Sequence, residues 1–211
     1  EVTRAVLEPR LQFLAEHGYR TVTTDAIARL VRDGRHPGPF TVALCFDDAR
    51  ASLWTVAMPM LRKYNFCAIT YAIPGRIVDA NATRPTLDDG GATAERADLS
   101  DRPFVTWPEL RALQAGGLVD VQNHTYSHAS VFCADQVTGF VTPEFASTHL
   151  LDRPQISQDG EPTFLQPDDL GAPLYAQRSR MSDAVRYVED MDTRDRCLTR
   201  VREEGGATFF A

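Results

Sequence analysis

The sequence contains no long apolar run. No stretch approaches the roughly 20 consecutive apolar residues that a membrane-spanning helix requires, so we predict no transmembrane segment. It also has no surplus of positive charge, since 22 lysine and arginine residues stand against 29 aspartate and glutamate residues, for a net charge of −7. This balance argues against a nucleic-acid-binding surface and leaves a neutral or cationic substrate open. Neither a phosphate-binding loop nor a serine nucleophile elbow is present.

Cysteine is also scarce. The four cysteines have no CxxC spacing and are too few for a disulfide scaffold. Cys45 and Cys67 fall within apolar segments, where a free cysteine behaves as a small hydrophobic residue. We therefore predict four free thiols, which favours a cytoplasmic location. Because the sequence begins without an initiator methionine, a secreted or periplasmic location stays open if a leader has been removed.

One apolar segment ends abruptly at two adjacent carboxylates. Residues 41–46 (TVALCF) follow a turn-forming Pro-Gly-Pro and are typical of a buried strand, and Asp47 and Asp48 come directly after them. Active sites of α/β folds lie at the carboxyl edge of the sheet, which is where such a strand would deliver both acids. Two neighbouring carboxylates repel each other, and a cation between them would relieve the repulsion.

The segments that follow predict a βαβ unit. Residues 51–64 have the apolar spacing of a helix, and residues 66–73 (FCAITYAI) form a second apolar strand that ends at Pro-Gly. A further helix begins at Thr106, with Glu109 completing a capping box, and leads to a third strand over residues 118–122. Strands connected by helices in this way should be parallel, so we predict an α/β fold.

The third strand runs directly into two histidines, His124 and His128. On a helical turn this spacing places both imidazoles on one face, with their Cβ atoms about 6 Å apart, close enough to share one ion. Asp48 would be the third ligand. Two imidazoles and one carboxylate suit Zn²⁺, with Fe²⁺, Co²⁺ or Ni²⁺ as alternatives. Asp47 would point elsewhere in the pleat, free to act as a base on the metal-bound water.

Each half of this pattern has an ordinary explanation. An Asp-Asp pair usually marks a turn, and a His-x-x-x-His spacing often arises by chance. Their occurrence at the ends of strands that should share one sheet favours the metal site.

These residues carry a resemblance to a known family. Phe46-Asp47-Asp48 after an apolar strand, and His124-Thr-Tyr-Ser-His128 after the third strand, resemble the first two motifs of the polysaccharide deacetylases, the NodB-homology enzymes of carbohydrate esterase family 4. The resemblance covers about residues 5–130. Three further stretches agree with it: EHGY at 16–19, PMLRKYNF at 59–66 and TWPEL at 106–110.

The resemblance implies a distorted (β/α) barrel with a divalent-metal amidase site. Carried over by motif, Asp48, His124 and His128 bind the metal, and Asp47 is the general base. The metal would polarise the N-acyl carbonyl and bind the attacking water. A backbone N–H near Ala49 or Tyr126 would hold the oxyanion. Tyr126, between the two histidines, is a candidate substrate contact.

The sequence departs from the family pattern in two ways. The first motif of the family usually continues to glycine, whereas Ala49 stands here. We find no Arg-x-Pro-Tyr-like third motif and no late Leu-x-His that would carry the general acid. Residues 173–175 (PLY) are not convincing because they fall in a segment without clear periodicity, and His149 has no motif support. We therefore expect the chain to stop before those motifs, with a barrel that is partial.

These observations predict one NodB-like domain over residues 1–211. Its core would span about 1–130, a loop-rich insertion or lid would span 131–185, and a helix and the start of another strand would span 186–211. The predicted function is metal-dependent deacetylation of an N-acetylated sugar or polysaccharide. Alternatives are hydrolysis of another non-peptide amide, such as a cyclic imide or ureide, hydrolysis of an O-acetyl ester, or a glycan- or metal-binding relative without activity.

Overall fold

The computed structural model describes residues 3–90, 94–149, 151–158 and 161–211. The chain divides into two compact units, Glu1–Ser127 and His128–Ala211. Helices and strands occur together in the first unit, which confirms the predicted α/β class. Within the described ranges the strands form separate sheets of two, three and four strands, and none of these sheets closes on itself into a barrel. No helix in the described residues is both long and apolar enough to cross a bilayer.

A parallel three-stranded sheet is the centre of the first unit. It consists of β3 (Cys45–Asp48), β4 (Ala68–Ala72) and β5 (Val119–Asn123), in that order and all parallel. A π-helical segment, Leu53–Ala57, continues into α3 (Met58–Tyr64) and connects β3 to β4. The predicted βαβ unit is therefore confirmed.

The predicted strand over residues 41–46 is divided in the structure. Its first part, β2 (Thr41–Val42), pairs with β1 (Arg20–Thr21) in a separate two-stranded sheet. Its second part is the beginning of β3, where Cys45 is exposed rather than buried. The chain passes from one sheet to the other between the two parts, and a continuous apolar run does not indicate which strand each part will pair with.

Three further helices belong to the first unit: α1 (Arg4–Glu16), α2 (Thr24–Asp33) and α4 (Trp107–Ala115). Pro9 lies inside α1 and does not interrupt the helix. The capping box predicted at the start of α4 is present. The core of this unit is built mainly from residues of α1, the π-helical segment, α3, α4 and the three-stranded sheet, including Leu11, Leu53, Leu61, Ala68, Leu113 and Val119.

The second unit corrects the prediction of a loop-rich segment over residues 131–185. It contains four strands in the order β8-β7-β6-β9: β6 (Ser130–Phe140), β7 (Pro154–Gln158), β8 (Glu161–Phe164) and β9 (Pro173–Ser179). Strand β7 pairs parallel to β6, whereas β8 and β9 pair antiparallel to their neighbours. Register shifts interrupt the pairing of β6 with β9, and β7 and β9 each begin with a proline, a position that a strand tolerates. Because of these two features, the alternation of apolar and polar residues that is typical of strands is not visible in this part of the sequence.

The remainder of the second unit is helical. A short helix, α5 (Phe145–Thr148), follows β6, and α6 (Met191–Glu203) forms within the segment predicted to be a helix. Residues Gly206–Phe210 form a 3₁₀ helix, so the predicted start of a further strand is wrong. A second apolar core packs within this unit, with Phe132, Val141, Phe145, Ile156, Leu165 and Tyr175 among its members.

Candidate metal centre

The end of β3 places Asp48 at the carboxyl edge of the sheet. Asp48 and Ala49 both have left-handed backbone conformations, with φ of 68° and 52°. This conformation costs a residue other than glycine roughly 1–2 kcal/mol, so the surrounding structure must hold it. Ala49 is completely buried, and its carbonyl oxygen accepts a hydrogen bond of 2.9 Å from the backbone N–H of Val105. Burial of Ala49 and this hydrogen bond hold the strained turn in place at the end of β3.

The register of the sheet brings the second motif to the same edge. Ala72, the last residue of β4, pairs with Asp48 on one side and with Asn123 on the other. The next residue, His124, donates its backbone N–H to the carbonyl oxygen of Ala72 at 2.8 Å. Because neighbouring strands lie about 4.8 Å apart, this register leaves the first and second motifs separated by roughly two strand spacings.

Residues 124–128 do not form the helical turn expected from their spacing. They lie outside every helix, and His128 has a left-handed φ of 51°. The backbone N–H of Gly75, just after β4, donates to the carbonyl oxygen of Tyr126 at 2.7 Å. The loop is therefore supported by the end of the neighbouring strand rather than by helical hydrogen bonds.

Three predicted ligands converge despite this difference. One ligand atom from each of Asp48, His124 and His128 lies within 4.8 Å of the other two, and all three residues are half-buried. The distance from His124 Nε2 to Asp48 Oδ1 is 3.7 Å. Ligands about 2.0–2.2 Å from a zinc ion stand roughly 3–3.5 Å apart, so small side-chain adjustments bring these atoms to coordination distance. The donor set and its geometry fit a divalent metal ion.

The comparison with protein families agrees with this geometry. The profile of the polysaccharide deacetylase family matches residues 34–159, which include both motifs. The chain belongs to the polysaccharide deacetylase family.

A characterised protein is also similar to the chain, at low sequence identity. The poly-β-1,6-N-acetyl-D-glucosamine N-deacetylase of Escherichia coli K12 is 26% identical over 196 residues, which cover 92% of this chain and 26% of that protein. The chain therefore spans about a quarter of the length of this relative.

Two solved structures are also similar. A de-N-acetylase from Aggregatibacter actinomycetemcomitans is 24% identical, with a TM-score of 0.47 over 63% of this chain and 48% of the other. The Streptococcus pyogenes deacetylase PplD, solved in complex with acetate, is 20% identical, with a TM-score of 0.46 over 70% and 53% of the two chains.

Ala49 stands at the position where the resemblance of the first motif leads us to expect glycine. Ala49 has a left-handed φ, a conformation that glycine adopts without steric cost. This explains why glycine would suit the position. The alanine is compatible with the fold because its methyl group is completely buried in the core of the first unit. The left-handed turn therefore forms in this chain with alanine, at a steric cost that glycine would avoid.

Asp47 is not one of the three residues whose ligand atoms converge. It is exposed and directly precedes Asp48, whose left-handed φ ends the regular alternation of the strand. Partial removal from water raises the pKa of the Cys45 thiol, and the nearby negative charge of Asp47 raises it further. Among the residues that the structure describes, the group able to hold a metal comprises only Asp48, His124 and His128.

Tyr126 is the most exposed part of the second motif. Tyr126 has 76% of its surface accessible to solvent. A Cβ atom built on Gly75 would lie 3.1 Å from the ring carbon Cε1 of Tyr126, so the ring rests close to the backbone of that glycine.

Asp152 was not predicted from the sequence. Its Oδ1 lies 2.9 Å from Nδ1 of His128, and both residues belong to the second unit. No motif signals this contact, because Asp152 lies in the segment whose strands the sequence does not reveal. A carboxylate at the second nitrogen of a ligand imidazole is a common feature of metal sites.

Two residues weighed for the missing motifs have other surroundings. His149 packs its ring against Phe145, with centroids 4.7 Å apart, and burial lowers the pKa of His149 against the opposing effect of Asp152. Tyr175, which lies within β9, is buried, and its burial raises the pKa of the phenol to about 12.

Proposed function

We propose that this chain is the hydrolytic part of a metal-dependent deacetylase that removes acetyl groups from an N-acetylated sugar or polysaccharide. The observation that carries the proposal is the convergence of ligand atoms from Asp48, His124 and His128 within 4.8 Å. Membership of the polysaccharide deacetylase family supports the reaction class. A relative named for N-deacetylation of poly-β-1,6-N-acetyl-D-glucosamine supports an N-acetylhexosamine polymer as substrate.

The three ligands would hold one divalent ion. Two neutral imidazoles and one carboxylate leave a net positive charge on the ion and leave positions open, and zinc is the first expectation for this set, with Co²⁺, Ni²⁺ or Fe²⁺ as alternatives. When bound, such an ion supplies Lewis acidity toward the acetyl carbonyl and toward water. Asp48 and His124, already 3.7 Å apart, would need little movement to take their places.

Asp47 would accept the proton of the attacking water. It follows the family pattern in which the first acid of the motif is the base, and it lies next to a ligand at the same strand end. Its exposure gives it access to solvent and substrate. The backbone N–H of Ala49 or Tyr126 would stabilise the negative charge that develops on the acyl oxygen.

Tyr126 would contact the sugar. An exposed aromatic ring held beside a catalytic loop offers an apolar face for a pyranose ring, while its hydroxyl can hydrogen-bond. Such a contact would act mainly on substrate binding rather than on the chemical step.

The experiment that tests the function is acetate release from N-acetylglucosamine oligomers by the metal-loaded chain. The comparison is with His124→Ala/His128→Ala and with His36→Ala, a control that removes an exposed imidazole outside the group. We expect release by the wild type and the control but not by the double variant. A parallel panel contains an O-acetyl ester and a cyclic imide.

Each outcome of the panel has a definite meaning. Release from the ester or turnover of the imide alone would replace the N-acetyl substrate by one of those classes. Metal uptake without turnover of any substrate would contradict the enzymatic function and favour a binding protein.

A further inference from the structure

The carboxylate of Asp152 lies beside one of the candidate metal ligands, His128. Its Oδ1 lies 2.9 Å from Nδ1 of His128. Asp152 itself is not one of the three residues whose ligand atoms converge. Asp152 is therefore a neighbour of a candidate ligand and not a member of the ligand group.

Strand pairing in the second unit holds Asp152 in this place. Ser130, two residues after His128, pairs with Pro154, two residues after Asp152, where β6 and β7 run parallel. The buried hydroxyl of Ser130 also donates a hydrogen bond of 2.9 Å to the backbone carbonyl of Asp152. The chain segments that carry the two side chains are thus fixed side by side by the fold and not by the contact alone.

An imidazole held this way has one nitrogen left for a metal. A carboxylate this close to Nδ1 favours the tautomer with the proton on Nδ1 and the lone pair on Nε2, and it limits ring rotation, so Nε2 is left as the metal ligand. This control matters at His128 because its backbone has a left-handed φ of 51° and lies in a loop without helical hydrogen bonds.

We propose that Asp152 is a positioning residue that orients His128 for metal binding. The inference rests on the proposed function and deepens it. The side chain of Asp152 is 66% exposed, so solvent screens its charge. Its effect is therefore the orientation and tautomer of one imidazole rather than a general electrostatic attraction for cations.

The test measures metal affinity without any substrate. The full chain is stripped of metal, and the dissociation constant of Zn²⁺ is measured by competition with a chromophoric chelator for the wild type, Asp152→Ala and Asp152→Asn. Loss of such a carboxylate typically weakens metal binding by about 10–100-fold, which we expect for the alanine variant. Asparagine retains an acceptor oxygen and should lose less.

Asp183→Asn is the matched control. It removes the same charge from an exposed aspartate of the second unit, so it should leave the affinity unchanged. In the metal-free wild type, nitrogen chemical shifts of the His128 ring should show the Nδ1-protonated tautomer. Asp152→Ala should shift that ring toward a mixture of tautomers, an effect that general destabilisation would not produce.

The outcomes separate this inference from the proposed function. Equal zinc affinity in Asp152→Ala and wild type, with His128→Ala losing the metal, would overturn the positioning role and leave the metal centre in place. Absence of metal binding by the wild type would overturn both. If the alanine variant fails to fold, the nearly isosteric Asp152→Asn decides, because an unchanged affinity and an unchanged tautomer there would equally contradict the role.

Discussion

The backbone N–H of Gly75 donates a hydrogen bond to the carbonyl oxygen of Tyr126 at 2.7 Å, and the two segments approach so closely that a Cβ on Gly75 would lie 2.5 Å from that oxygen. Only glycine permits this approach without movement of the backbone. The loop between the two candidate histidine ligands therefore depends on a residue outside both motifs.

Substitution of this glycine should disturb the metal site. Gly75→Ala must displace the backbone at Tyr126, which lies between His124 and His128, so we expect zinc affinity to fall by about 10-fold or more, the scale seen when ligand orientation is lost. Gly139→Ala is the control, because a Cβ there meets no atom within 4 Å. Chelator competition measures both variants, and equal affinity would show that the loop tolerates the displacement.

Asp48 should be needed for metal but not for the fold of the turn. Asparagine is among the residues that best tolerate a left-handed φ, so Asp48→Asn should keep the conformation at 68° while removing the charged ligand. We expect loss of zinc binding with a thermal midpoint of the metal-free protein close to that of the wild type. Retention of full zinc affinity would remove Asp48 from the ligand set.

Asp47 should be needed for turnover but not for metal. Asp47→Asn removes the base while leaving the three converging ligands intact, so acetate release should fall by about 10²–10⁴-fold, the usual contribution of a general base. Elemental analysis of the same preparation should show metal content equal to the wild type. Full activity of the variant would mean that another group accepts the proton.

A buried ion pair should make the first unit sensitive to acid. Glu109 on α4 is completely buried and accepts hydrogen bonds from Arg84 Nη2 at 2.6 Å and from the backbone N–H of Thr106 at 2.8 Å. Burial alone would raise the pKa of Glu109, but the hydrogen bonds from Arg84 and Thr106 outweigh it and hold the pKa below its usual value. The pair therefore contributes stability above the ordinary pKa of glutamate, and this stability is lost as pH falls toward the lowered value.

The measurement is urea unfolding at neutral and acidic pH. Tryptophan fluorescence reports on the right unit, because Trp54 and Trp107 both belong to it and Trp54 donates its indole N–H to the carbonyl of Arg84. Glu109→Gln should lower the free energy of unfolding by on the order of 3 kcal/mol at neutral pH and show a smaller further loss in acid. The exposed Glu16→Gln should behave as the wild type, and identical pH profiles for both variants would contradict the account.

The sequence was sufficient for the parts of the site that are local. Asp48 and His124 lie at strand ends, and a strand end can be recognised from the residue pattern over a few positions. The parallel sheet follows from the alternation of strands and helices along the chain. The two histidines predicted to share an ion place their ligand atoms within 4.8 Å of each other, although the loop between them is not helical. For predicting which residues lie together, the residue types were more informative than the local conformation expected from their spacing.

Contacts between distant segments could not be predicted. The backbone N–H of Thr24, at the start of α2, donates a hydrogen bond to the side chain of Asp120 on β5 at 2.8 Å, and the two residues are 96 positions apart in the sequence. The same holds for Asp152 beside His128, since it depends on the pairing of β6 with β7. Such pairings follow from the tertiary fold, and no short-range period records them.

The most direct test of the central claim is the metal content of the purified chain. Elemental analysis after purification without chelators compares the wild type with His124→Ala/His128→Ala, each also measured after incubation with Zn²⁺ or Co²⁺ and removal of the excess. The account predicts about one equivalent of metal in the wild type and none in the double variant, because two of three ligands are gone. Equal occupancy in both proteins, or no metal in either after incubation, would contradict a metal centre at Asp48, His124 and His128.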